Sequence, residues 1–367
     1  MKKSAGKRIL ILFLAVCLTM AAGCGKKPAY DPNEGVETKT VTDGAGRSVV
    51  MPAEVTAIAP SGSTAQMILM TIAPDLLVGL SASPTRLQRP YFPESMWYLP
   101  TFGQFYGSKS TLNMEALIAA RPQLVIDLGD RKTTIRADMN SIQRQTGLPT
   151  VFFEATLETM PDAYRSLGEI LDRREEAEEL AAFVEETLAM AAEKRALIPE
   201  AERKTVMYGT GATGLAVNAD ESSQAQVIDL VGGKNAIIPD RVTNKGGGTT
   251  VSLEGVYRVQ PDVILFMSGG PYDEVTENEW SELNAVRNGE FYEIPNVPYC
   301  WMSSPPSVNM VLGVWWLGQV LYPDVYDDYD MVEVAQRFYR LFWHYDLSEQ
   351  EAREMLSRSL LKTEGAA

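Results

Sequence analysis

Histidine and cysteine are almost missing from this chain of 367 residues, which has one of the first and three of the second. A metal centre built from protein side chains normally needs several imidazoles or thiolates, so a resident zinc or manganese site is not expected. The lone His344 sits in the aromatic run LFWHYDL, where a structural role is the expectation. No G-x-S-x-G stretch occurs, so Ser–His hydrolase chemistry lacks its machinery too. Basic residues are in the minority: 33 Lys and Arg against 48 Asp and Glu leave a net charge of −15. That balance excludes nucleic acid as a partner, because phosphate binding needs clustered cations. Carboxylate pairs carry no signal among so many acidic residues. Cys17 and Cys24 lie in or beside an N-terminal leader, so Cys300 is left alone between Tyr299 and Trp301. No intramolecular disulfide is possible, and Cys300 reads as a small buried hydrophobe.

What is present begins with that leader. Lys2, Lys3, Lys7 and Arg8 precede the apolar run Ile9–Val16, and Ala21-Ala22-Gly23 supplies small residues before Cys24. The run is too short for a spanning helix. Met20-Ala-Ala-Gly-Cys24 resembles a bacterial lipoprotein signal, with Ala21 where such signals prefer Leu. The resemblance implies removal of residues 1–23, acylation of Cys24 and a membrane anchor on the outer face. Residues 24–40 are polar, contain Pro28 and Pro32, and read as a flexible tether.

The ordered part opens on a β-hairpin turning at Asp43–Gly46, followed by VTAIAPS (strand), TAQMILMTIA (helix) and LLVGLS (strand). Leu124–Asp127 and Val151–Phe153 continue the alternation, which predicts a mostly parallel sheet flanked by helices. Arg174–Ile198 then runs rich in Ala and Glu without Gly or Pro. As a helix it would span about 37 Å, and its charges predict a largely solvated strut. The pattern restarts with KTVMYG, SQAQVIDLVGG and EFYEIP, and ends in two aromatic helical stretches expected to be core. The fold class is therefore α/β, two Rossmann-like lobes bridged by one long helix. Residues 41–156 form the N-terminal lobe, 157–200 the linking helices, and 201–367 the C-terminal lobe with its terminal helices.

One unit occurs twice. STLNMEALIAARPQLVIDLG (110–129) and TTVSLEGVYRVQPDVILFMSG (249–269) share a helix, a break and a buried strand at a constant offset, which superimposes Glu115 on Glu254. Other motifs carry less. Gly209-Thr-Gly211-Ala-Thr-Gly214 spells G-x-G-x-x-G after a strand, but no helix opens at the third glycine, so no dinucleotide site is expected. VGGKN (231–235) lacks the Lys-Ser/Thr of a phosphate loop, and NKGGGTT (244–250) reads as a plain loop.

VTDGAGRSVVMP, LNMEALIAARPQLVI, AQVIDLVGGKNAI and VSLEGVYRVQPDVILF follow one another in a specific order, and SSPPSVNMVLGVWWLGQVLYP and FYRLFWHYDLSEQE close the chain. From about Val41 onward it resembles the substrate-binding proteins of ABC importers for iron chelates, haem and corrinoids. The resemblance implies a monomeric binding protein, not an enzyme, with ligand held between two lobes bridged by a long helix. It implies a permease dimer with its ATPase subunits as partner, docked by one glutamate per lobe, here Glu115 and Glu254. A two-fold permease presents one surface twice, so a monomeric cap needs matching features on both lobes. The expected ligand is a preformed metal chelate, a ferric siderophore first and a corrinoid or haem second, with no cofactor and no metal bound directly by the protein. Crevices of open α/β sheets lie beyond the strand C-termini. That rule selects Ser61, Arg86, Tyr91, Trp97, Arg131, Lys132, Tyr208, Arg241, Tyr299 and Trp301 as cleft candidates. The aromatics would cover a ring, and the cations would grip carboxylate or catecholate oxygens. Gln66 stands where the family often has Glu.

Overall fold

The computed structural model describes residues 35–107, 110–217, 225–237, 248–303 and 305–362. Strands β1 (Thr38–Thr42) and β2 (Ser48–Pro52) form the expected antiparallel hairpin. Asp43 shapes its turn by accepting from the amides of Ala45 and Arg47, and its carboxylate pairs with the buried Arg47 guanidinium at 3.0 Å. The N-terminal sheet has three parallel strands in the order β3 (Ile58–Pro60), β4 (Leu124–Gly129), β5 (Thr150–Glu154). Its helices are α1 (Ser63–Ile72), α2 (Met114–Ala120), α3 (Ile135–Thr146) and α4 (Met160–Leu171). LLVGLS, expected as a strand, contributes only isolated bridges at Leu77 and Leu80. A 3-10 turn at Pro74–Leu76 takes up its first residue, and the Leu80 amide and carbonyl pair instead with Pro100 and Phe102.

The long helix α5 (Arg174–Ala196) has 23 residues. It departs from the expected solvated strut. Ala177, Leu180, Ala181, Phe183, Val184, Thr187 and Ala191 are all buried, an apolar stripe at three- and four-residue spacing. Small residues on that stripe let α4 approach closely: a Cβ on Gly168 would strike Ala177. Phe183 packs against Trp315, Phe338 and Phe342.

Beyond α5, β6 (Thr205–Thr210), β10 (Val263–Phe266) and β11 (Phe291–Glu293) run parallel, with β8 (Lys234–Asn235) parallel on the other edge of β6. Strands β7 (Ala216–Val217) and β9 (Thr249–Thr250) add antiparallel pairs. Gly209–Gly214 thus closes the β6–β7 hairpin and opens no helix, which removes any dinucleotide geometry. Of the helix expected in SQAQVIDLVGG, α6 (Gln226–Leu230) is what the described residues contain. Short helices α7 (Leu253–Val259) and α8 (Asn284–Arg287) follow, then α9 (Asn309–Leu321), α10 (Met331–Trp343) and α11 (Glu349–Leu356). The aromatic helices are core: Trp316, Phe338, Tyr339 and Phe342 are all but fully buried. Helix α10 packs on both α1 and α5, so a single apolar cluster runs from the N-terminal lobe through the strut into the C-terminal lobe.

Candidate functional site

Between the lobes lies a cavity of about 150 Å³. The N-terminal lobe lines it with Thr64 in the first turn of α1, Gly129 and Asp130 at the end of β4, and Ala155–Leu157 and Met160 between β5 and α4. Across from these stand Gln226 at the start of α6 and Pro306, Ser307 and Met310 around the start of α9. Gln226 also donates to Glu158 across the gap at 2.9 Å. Parallel strands that all end on one side, each followed by a helix beginning on that side, create such a crevice. No side chain caps the amino ends of α1, α4 or α9. The Ser307 hydroxyl is buried with no hydrogen-bond partner.

None of the cleft candidates chosen from the sequence that fall among the described residues lines this cavity. Arg241 and Cys24 lie outside the described residues. Trp301 and Tyr208 are both buried, and the Tyr208 hydroxyl is bonded to the Ser303 hydroxyl at 2.9 Å. Tyr299 packs against Phe92 and Trp343, and Tyr91 against Tyr339 and Tyr345. Trp97 donates to the carbonyls of Arg89 and Phe92 and carries the Arg89 guanidinium 5.7 Å from its ring centre. The 91–97 segment is therefore packed against α10 and Tyr299 by its aromatics. Arg86 and Arg131 are exposed.

Ser61 and Lys132 belong instead to a cluster around Asp127 on β4. Ser61 Oγ donates to Asp127 Oδ1, and the Tyr106 hydroxyl donates to Oδ2 at 2.9 Å. The Lys132 ammonium stands 5.2 Å from the centre of the Tyr106 ring. Burial pushes the Asp127 carboxyl up to about 6, outweighing the two hydroxyl bonds and the Lys132 charge that pull it down. The cluster holds the loop after β3 against the end of β4. Sequence reasoning missed Asp127, Thr156, Gln226 and Ser307. A signal existed for Ser307, a hydroxyl after two prolines at the entrance to an apolar helix, but many N-termini share it.

The repeated unit survives in three dimensions. Helices α2 and α7 each have seven residues, and Asn113 and Ser252 cap them by accepting from Ala116 and Gly255. Arg121 and Gln260 end them in the left-handed conformation at φ 53° and 48°. Leu117 and Val256 are buried at matching positions, while Glu115 and Glu254 are exposed in the first turns. The backbone amide of Glu254 and the Ser252 hydroxyl hold the Glu254 carboxyl below its ordinary value. No helix among the described residues is long and apolar enough to cross a membrane, and none of their His, Cys, Asp and Glu form a group of three placed to hold a metal ion.

This architecture, two α/β lobes bridged by a long helix over a crevice, defines a class of solute-binding protein. The chain belongs to the periplasmic binding protein family, whose model matches residues 58–298. It is similar to an ABC transporter solute-binding protein from Sulfurospirillum deleyianum at 26% identity and TM-score 0.79, over 87% of this chain and 99% of that one. A periplasmic solute-binding protein from Veillonella parvula is 25% identical with TM-score 0.71, covering 88% and 98%. The molybdate-binding protein MolA of Haemophilus influenzae is 23% identical over 65% of this chain and 71% of its own length. The molybdate-bound MolA structure superposes with TM-score 0.68 at 17% identity, over 84% and 99%. The chain is a substrate-binding protein of an ABC transporter; proteins of this kind bind small ligands and work with a permease and an ATPase.

Proposed function

We propose that the chain is anchored through Cys24 on the outer face of the cytoplasmic membrane, captures a small metal-bearing solute in the cavity between its lobes, and hands it to a permease dimer gripped at Glu115 and Glu254. The observation that carries this reading is the pairing of an interlobe cavity with a capped, glutamate-bearing helix repeated once in each lobe. Catalysis has no part in it. A ferric siderophore is the cargo that the sequence suggests, with corrinoid or haem behind it. The geometry favours something smaller, because a cavity of about 150 Å³ is below the roughly 300–1,000 Å³ of pockets for drug-sized ligands. A chelate would enter only with the lobes parted. MolA supplies a precedent for a smaller metal-bearing cargo.

Thermal unfolding against ferric siderophores, haem, cobalamin and metal oxyanions tests the reading. Ligand at one hundred times its dissociation constant adds about 2.7 kcal/mol, a visible rise in midpoint. A rise with one class supports a carrier of that class. A folded protein that responds to none contradicts the capture of a metal-bearing solute.

A further inference from the structure

Glu158 stands in the turn between β5 and α4, beside the interlobe cavity but outside its lining, and is exposed. The turn that carries it is fixed by the flanking threonines. The amides of Thr156 and Thr159 each donate to the other's hydroxyl, at 3.0 and 3.3 Å, and the two hydroxyls meet at 3.1 Å. Gln226, the first residue of α6 in the other lobe, lines the cavity and is followed by the buried Val227 and Ile228, which anchor the helix. Its Nε2 donates to Glu158 Oε1 at 2.9 Å, joining residues 68 apart in the chain. Donor and acceptor therefore ride on different lobes, each on a firmly held element, and parting the lobes pulls them apart. An amide bonded to a carboxylate makes a charge-assisted bond, the stronger kind.

We propose that Glu158 and Gln226 form a latch that holds the lobes closed over the cavity, with Glu158 the positioning residue that keeps Gln226 in its wall. This rests on the importer reading for the cavity's role as cargo site. The apolar cluster that runs through both lobes and α5 allows only a small tilt between them, so one bond across the gap acts over a short distance. Open and closed arrangements are then two populations, and the latch stabilises the closed one with or without cargo. Losing it moves the population toward open. Cargo leaves faster and enters no more slowly.

The experiment reads the distance between the lobes directly and needs no cargo. Spin labels go on Arg144→Cys in α3 and Asn288→Cys after α8, both exposed, in a chain whose Cys17 and Cys24 are alanine; Cys300 is buried. Pulsed dipolar spectroscopy then gives the ratio of short to long separations. Glu158→Ala and Gln226→Ala should each lower that ratio about threefold to tenfold, as loss of a hydrogen bond to a charged group does. Glu158→Gln keeps an acceptor and should lower it less. The double alanine variant should go no further than either single one, because both remove the same bond. Melting midpoints should stay near the parent's. Distances unchanged in Glu158→Ala overturn the latch, and so do single effects that add in the double variant. A lower midpoint with unchanged distances means a bond that only braces the turn, which overturns it too. Failure of the importer reading shows separately, as normal uptake by a Glu115→Ala, Glu254→Ala variant.

Discussion

Asp127 carries a carboxylate buried in the N-terminal lobe, with both oxygens occupied by hydroxyl donors and desolvation winning over them. Its carboxyl moves from 3.8 to about 6 on folding, so the native state holds the proton more tightly than the unfolded chain does. The stability this contributes is fully present below about pH 3.8 and is lost as pH rises through 6, about 3 kcal/mol at most. Asp127→Asn keeps the shape, removes the charge, and lets a neighbouring hydroxyl reverse to accept. Denaturant unfolding should show the variant gaining on the parent between pH 4 and pH 7. A difference that stays flat with pH would contradict the raised value. In the sequence Asp127 ends the strand Leu124–Asp127 and is one acidic residue among 48. Its partners lie 66 and 21 residues away, so only folding reveals its environment.

Among the elements, α5 shows how a composition can mislead. Its Glu and Arg side chains dominate a reading by charge, and they do form a solvated face: Arg165 of α4 pairs with Glu178 and Glu185 at 2.8 and 2.7 Å. Exposed pairs of this kind contribute about 0–1 kcal/mol. The alanines between them, read as helix formers, are also the contact surface. Phe183→Ala should destabilise the protein by about 3–5 kcal/mol, seen as a lower denaturation midpoint, because the site is walled by Trp315, Phe338 and Phe342. At the helix caps the effect is smaller. Asn113→Ala and Ser252→Ala should each cost about 1 kcal/mol in the same assay. The duplicated helices were legible because cap, apolar position and break recur at one offset within a few residues. LLVGLS was not, because a short apolar run becomes a strand only when a neighbour offers a free edge.

For the whole molecule, the apolar cluster that passes through both lobes and α5 ties the lobes together. Packed interiors resist continuous deformation. Ligand should therefore change the lobe angle by a small tilt, and X-ray scattering profiles with and without cargo should nearly superimpose. A large fall in radius of gyration on binding would contradict this. Docking belongs to the same scale. Replacing both Glu115 and Glu254 by alanine should abolish uptake while cargo affinity stays unchanged, since both are exposed on outer helices and neither lines the cavity. One exposed pair is weak, but two at a partly desolvated interface fix register and speed encounter.

The amino-acid sequence by itself determined the two α/β lobes, the single long helix between them, the hairpin at Asp43–Gly46 and the repeated glutamate-bearing unit. These follow from periodicity, capping and turn chemistry, which act over a few residues. Tertiary structure alone decided that Trp301 and Tyr208 are core, that α5 is half-buried, and that Thr64, Thr156 and Ser307 meet around one small space. Strand order and crossover direction bring those residues together, and no local spacing encodes which loops will face each other across a gap.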